Sequence, residues 1–169
     1  MTSSQVQATA ELERLDRQYQ ELLTSLAAAD WERPSTIGGG DWSLRDLVGH
    51  IMSWEELALG AISAAEAARP LPLPDRGIDE INREMVERQG QLSLEELRQG
   101  ATGTHAQLIQ IISELPPAAW AMPVGAGDDP PLELGELLGR LLGAQDHPFG
   151  HLTAHLGDLR SFAEASATG

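Results

Sequence analysis

The stretch WSLRDLVGHIMSWEELALGAI, residues 42–62, decides the fold. Leu47, Ile51, Trp54, Ala58 and Ala61 recur at spacings of three and four, the stripe of a helix that buries one face. Ser43 followed by Asp46 has the spacing of a capping box, with an acid in the first turn where the helix dipole favours it. The spacing predicts a helix starting at Ser43 and ending near Ala68, before the extended run Arg69-Pro70-Leu71-Pro72-Leu73-Pro74. His50 falls on the inward stripe of this helix.

Working outward, the chain ends in DHPFGHLTAHLGDLR, residues 146–160, which places His151 and His155 four apart on one helix face. Leu152, Leu159 and Phe162 share or border that face and turn the pair inward. The other segments are helical too. Leu12, Leu15, Tyr19, Leu22 and Leu26 define a helix from about Ser4 to Ala29, roughly 39 Å long at 1.5 Å per residue, stopped by Pro34 and Gly38-Gly39-Gly40. Residues 77–89 suit a short connecting helix with Ile78, Ile81, Met85 and Val86 inward. Ser93 and Glu96 form a second capping box, opening a helix whose apolar face runs Leu94, Leu97, Ala101, Leu108, Ile111, Ile112 and Leu115 until Pro116-Pro117. Gly100 and Gly103 within it cost about 1 kcal/mol each relative to Ala, which close helix contact would explain. A final helical region from Leu132 to Ala165 is broken near Gly143 and Pro148. No stretch alternates with period two, so no sheet is expected. The fold class is all-α: a four-helix bundle with one short extra connecting helix, and a single domain over residues 1–169.

Charge narrows the partners. Twenty-six acidic against eleven basic residues give a net charge of −15, which repels nucleic acid and anionic membrane surfaces. All the basic residues are arginine; this fits a GC-rich bacterial coding background and removes Schiff-base lysine chemistry. Without cysteine there is no disulfide, thiolate ligand or cysteine nucleophile. The first residues lack a signal-peptide pattern and the longest uncharged apolar run, Leu57 to Ala65, is far short of a bilayer span, so a cytoplasmic protein is expected.

Neutral imidazole binds zinc, nickel, iron or copper, and three such ligands with an open position describe a catalytic site. We read the chain as a scaffold bringing His50 to His151 and His155. His105, on the inner side of its helix, is the first substitute for His50, although a core histidine bonded to a neighbour is the commoner outcome. His147 competes as another residue four from His151, but Pro148 favours a place outside the helix for it. Asp146 and Asp158 could orient a ligating ring through its second nitrogen. Trp42, Trp54 and Trp120 could wall a pocket, with Trp42 also suited to anchoring the linker. Glu55-Glu56 and Glu95-Glu96 read as solvated faces.

Trp42-Ser43-Leu44-Arg45-Asp46-Leu47-Val48-Gly49-His50-Ile51, with Ser53-Trp54-Glu55 after it, resembles the second-helix signature of the DinB-like superfamily. His151-Leu152-Thr153-Ala154-His155-Leu156-Gly157-Asp158 resembles its closing H-x3-H motif. Ile78-Asp79-Glu80-Ile81-Asn82 is similar to the corresponding region of its mycothiol-dependent maleylpyruvate isomerase and DfsB-type branches. The resemblance implies a DinB-like four-helix bundle in which His50, His151 and His155 bind one divalent metal, zinc or nickel foremost. The sequence departs from the pattern where many relatives read His-Arg-Gly-Gln and this chain reads His155-Leu156-Gly157-Asp158, which leaves the branch open.

The resemblance therefore implies a metal-dependent enzyme that activates a low-molecular-weight thiol or water against an electrophilic small molecule, as a thiol transferase, isomerase, hydrolase or detoxifying protein. With no cysteine of its own, the chain would take the thiol as a cosubstrate. The alternative is a non-catalytic bundle that binds a small apolar ligand, or a homodimeric stress-response protein with metal-free histidines.

Overall fold

A computed structural model describes residues 1–33, 37, 42–125, 130–144 and 147–167. Eight helices occur among them: α1 (Ser3–Thr24), α2 (Ala28–Trp31), α3 (Leu44–Glu66), α4 (Ile78–Gln89), α5 (Leu94–Glu114), α6 (Pro117–Trp120), α7 (Leu134–Leu141) and α8 (His151–Ala167). The long helices α1, α3, α5 and α8 make the bundle and α4 is the expected connecting helix. None of the described helices is long and apolar enough to cross a membrane.

Local chemistry explains the boundaries. The Asp46 N–H donates to Ser43 Oγ at 3.2 Å while the Ser43 N–H donates to Asp46 Oδ2 at 2.9 Å, and Ser93 and Glu96 repeat the exchange at 3.2 and 2.7 Å. A third box, Thr2 with Gln5, went unrecognised in the sequence. The buried Gln5 amide also donates to the Ile112 and Leu115 carbonyls at 2.7 and 2.8 Å. It thereby satisfies α5's last turn, where the prolines that follow have no N–H to offer.

Several expectations are corrected. The first helix does not run to Ala29: Ser25 donates back to the Leu22 carbonyl, and Asp30 accepts from the Ala27 N–H to open the separate turn α2, which drives Trp31 into the core at 1% exposure. Leu23 is buried and Leu22 only partly so. Ile78 is exposed, because the first residue of α4 lies beyond the seam that Ile81 and Met85 bury. A hairpin of two residues per strand, β1 (Pro123–Val124) and β2 (Leu132–Glu133), pairs Pro123 with Glu133 and Val124 with Leu132; strands so short leave no periodicity to read. Gly100 sits in close helix contact, where a Cβ would lie 3.1 Å from Met52 Sδ, whereas Gly103 faces open space. The residues expected to stop the first helix, Pro34 and Gly38-Gly39-Gly40, lie outside the described residues.

The core falls into two apolar clusters. Leu12, Ala58, Ile62, Leu108, Ile112 and Leu138 belong to one, and Leu15, Leu44, Leu47, Ile51, Leu97 and Leu159 to the other. Between these positions along α3 and α5 lie Glu55 and His105, and Asp16 follows Leu15 in α1. Glu55 is 4% exposed, not solvated as its pairing with Glu56 suggested, and it bonds His105 Nδ1. Asp16 stands 3.6 Å from His105 Nε2. Burial raises the Glu55 pKa against the pull of His105. Burial opposes a charged His105 too, but Glu55 and Asp16 more than offset it and its pKa is raised.

Ile112, fully buried, is expected to cost about 2 to 5 kcal/mol when changed to Ala, whereas Ile78→Ala costs less than about 0.5 kcal/mol as surface changes do; urea denaturation reads both. Because folding raises the His105 pKa, the stability it contributes is whole below the ordinary histidine value of about 6.5 and is lost as pH climbs through the folded value. The unfolding free energy of the wild type minus that of Glu55→Gln, measured between pH 6 and 8.5, should fall as pH rises; taking the difference removes the opposite slope of the histidines whose pKa folding lowers.

Candidate metal centre

Histidine placement follows from the ends of α3 and α8. His50 lies in the second turn of α3, where Gly49 allows α4 to close in: a Cβ at Gly49 would stand 2.8 Å from Gln89 Cβ. His151 is the first residue of α8, and its N–H donates to the Leu142 carbonyl at 2.9 Å. The turn between α7 and α8 is thus tied back to α7. Phe149 holds that turn with a positive φ of 60°, and its N–H donates to Gly139. His155 follows one helical turn after His151.

The three imidazoles converge. His50 Nε2 lies 3.0 Å from His151 Nε2, and His155 Nε2 lies 3.3 Å from the same atom. One ligand atom from each falls within 4.8 Å of the others. A tetrahedral ion with bonds of about 2.0 to 2.1 Å separates its nitrogens by roughly 3.3 Å, so the two short separations suit an ion the size of zinc. His50 is buried at 3% exposure and its Nδ1 has no hydrogen-bond partner; its ring packs on Trp42 at 4.8 Å between centroids.

These rings favour the neutral state that ligation requires. Burial brings the His50 pKa down to about 3, with His155 adding to the effect. His151 also falls to about 3, through burial first and then its two neighbours. Burial lowers His155 against the opposing charge of Asp158.

The histidines open onto a cavity of about 300 Å3 shared with Trp54, Ile78, Asn82, Arg140, Leu141 and Gly143. Trp54 is 6.5 Å from the His50 ring and 6.3 Å from that of His151, and its Nε1 donates to Asn82 Oδ1 at 3.0 Å. A larger cleft of about 540 Å3 runs between α3, the proline connection and α4. It offers volume without chemistry, since its arginines are paired, Arg76 with Glu84 and Arg88 with Glu56.

Other candidates lie elsewhere. His105 is the buried partner of Glu55. His147 is exposed and meets Glu11 Oε1 at 3.2 Å. Trp120 stacks on Phe149 at 6.1 Å and donates to Ser4 Oγ, so it walls no pocket with the histidines. Trp42 and Trp54 do border them. Asp158 is exposed and acts on His155 through its charge; Asp146 lies outside the described residues. Asn82 and Arg140 were missed, although a polar amide beside Ile81 and an arginine in a leucine-rich helix were visible as exceptions to their stripes.

The sequence from residue 12 to 143 matches the family described as the mycothiol maleylpyruvate isomerase N-terminal domain. The chain belongs to this family. The match holds His50 but stops before His151 and His155, whose placement rests on the geometry above. Solved structures of DinB-like helical bundles share the fold. An uncharacterised protein from Escherichia coli UTI89 superposes with a TM-score of 0.78 at 14% identity, covering 99% of this chain and 96% of its own. The mycothiol-dependent maleylpyruvate isomerase gives 0.64 at 15% identity over 97% of this chain, which spans 62% of that enzyme's length. The sibling lethal factor precursor DfsB gives 0.60 at 13% identity, covering 99% and 95%. No curated protein matches the sequence. Membership places the chain in the DinB-like superfamily that its motifs resemble.

In the metal-free protein the imidazoles of His50 and His151 are expected to stay neutral between pH 7.5 and 5, where an ordinary histidine near 6.5 titrates. Ring-proton chemical shifts followed by NMR should therefore hardly move for these two residues.

Proposed function

We propose that the chain is a metal-dependent enzyme in which His50, His151 and His155 hold one divalent ion, zinc or nickel foremost, and a small-molecule electrophile is attacked by a low-molecular-weight thiol or by water. The observation that carries this reading is the convergence of three imidazole nitrogens, one on a buried and two on half-buried histidines, at the head of a cavity. When bound, the ion supplies a Lewis-acidic centre that lowers the pKa of a thiol or water molecule. His151 and His155 present their nitrogens from successive turns of one helix, and His50 completes the set from α3. Trp42 packs on His50 and limits its rotation. Trp54 walls the cavity and keeps water from the reacting groups on that side. The chain offers neither cysteine nor lysine as a nucleophile, so covalent attack by those groups is not available to it. A thiol must then enter as cosubstrate, and the isomerase whose fold this chain shares is named for its dependence on mycothiol.

The Nε2 separations of 3.0 and 3.3 Å also lie within hydrogen-bonding range. They support a second reading, a metal-free bundle whose histidines satisfy one another and whose cavity binds a small apolar ligand.

Metal analysis of protein purified without a histidine tag is expected to find one ion per chain. His50→Ala, His151→Ala and His155→Ala should each weaken binding by more than the roughly tenfold to hundredfold that loss of a supporting residue costs, and His147→Ala should leave it unchanged. Turnover of an electrophile panel with mycothiol, bacillithiol or glutathione, lost in His155→Ala, supports thiol transfer or isomerisation; turnover without thiol favours hydrolysis. A protein that takes up no divalent ion would leave the binding-bundle reading.

A further inference from the structure

Two buried donors outside the histidine centre have nothing to bind. The Trp31 indole Nε1 and the Tyr19 hydroxyl are shut off from solvent, and among the described residues neither meets a hydrogen-bond partner. Orphaned buried polar groups are rare in folded proteins, and each calls for a ligand or another physical reason. These two come from α1 and α2, and both side chains line one small cavity of about 80 Å3 that α3 and α5 complete. It shares no residue with the histidine cavity.

The lining is rich in donors. An indole N–H can only donate. Burial, and after it the charges of Glu55 and Asp16, push the Tyr19 pKa well above the ordinary phenol value, so the hydroxyl keeps its proton. Arg98, exposed on α5, also lines the cavity and sets its guanidinium 5.1 Å from the centre of the Trp31 ring. A contact through the ring face consumes none of its N–H donors, and among the described residues no carboxylate reaches it. No described Asp or Glu lines the cavity, in a chain whose net charge is −15. The carboxylates that act on Tyr19 are engaged elsewhere: Gln20 Nε2 donates to Asp16 Oδ1 at 3.1 Å, and Glu55 bonds His105. Size narrows the ligand further. A liquid water takes about 30 Å3 and benzene fills a cavity of about 150 Å3, so this space suits a molecule the size of acetate and is too small for an aromatic ring.

We propose that Tyr19, Trp31 and Arg98 form a binding site for a small oxyanion of acetate size, separate from the histidine centre and independent of metal. The phenol and indole donors meet its oxygens on the buried side, and the guanidinium supplies the opposite charge on the exposed side. Val48 lines the same cavity two residues before His50, so the site abuts the histidine-bearing helix without including the cluster.

Acetate, acetamide and benzoate are the probes, alike in part and different in charge or size. Each is titrated into the metal-free protein at constant ionic strength, with the Trp31 indole N–H resonance, assigned through Trp31→Phe, as the readout. Acetate should shift this resonance saturably and bind about tenfold more tightly than acetamide, and benzoate should leave it in place. Arg98→Gln changes an exposed residue, and Tyr19→Phe keeps the ring while removing a hydroxyl that bonds no described residue; circular dichroism checks that both fold. Each should weaken acetate about tenfold, whereas His155→Ala should change it by less than about twofold. If Tyr19→Phe does not fold, Arg98→Gln alone decides. No saturable shift with acetate, equal binding of acetate and acetamide, or acetate binding untouched by the folded variants overturns the site. So does loss of acetate binding in His155→Ala, which would return the anion to the histidine cavity.

Discussion

Three imidazoles taken out of water and kept neutral are the constraint on which this bundle turns. A neutral ring that loses its solvent needs partners for both nitrogens, and here, among the described residues, the Nε2 atoms meet one another. The surrounding structure must hold them there. It does so with backbone contacts: Ser43 and Asp46 fix the start of α3, Gly49 lets α4 lie against it, and the Leu142 carbonyl fixes the first turn of α8. The same desolvation that makes the cluster hard to assemble keeps protons off it, and so leaves its lone pairs available.

Much of this was legible because it depends on local spacing. Capping boxes at Ser43 and Ser93, the i, i+4 pair, and the break at Pro148 are properties of a few adjacent residues, and each appears where the spacing places it. What escaped depends on contacts across the fold. Glu55 reads as solvated until His105, fifty residues on, is brought beside it. The split between α1 and α2 depends on the Ser25 hydroxyl donating to the Leu22 carbonyl, a choice the apolar stripe does not record. Trp120 resembles a pocket residue by type, yet the two-residue hairpin and α7 carry it to the other cluster. Asn82 and Arg140 become meaningful only when α4 and α7 are seen to flank one cavity.

Fold and chemistry are anchored in different parts of the chain. The family match covers α3 with His50 and ends at residue 143, whereas two of the three imidazoles follow the turn after it. That turn, with Phe149 in a left-handed conformation and its N–H tied to Gly139, sets where α8 begins and therefore which way His151 points. Shared helices give relatives a common frame, and the residues around this turn and cavity are where their chemistry can diverge.

The layer of Asp16, Glu55 and His105 has a consequence beyond its own ion pair. The hydrogen-bonded pair of Glu55 and His105, with the Asp16 charge beside it, stands where two sets of dispersion contacts meet, because Leu12 and Ile112 belong to one set of neighbours and Leu15 and Leu97 to another. The core is in this sense compartmented: the half beside α7 and the hairpin can be repacked over evolutionary time with little echo in the half that carries Leu44, Leu47 and Ile51 on the histidine-bearing helix, and the energetic effects of changes in the two halves should add.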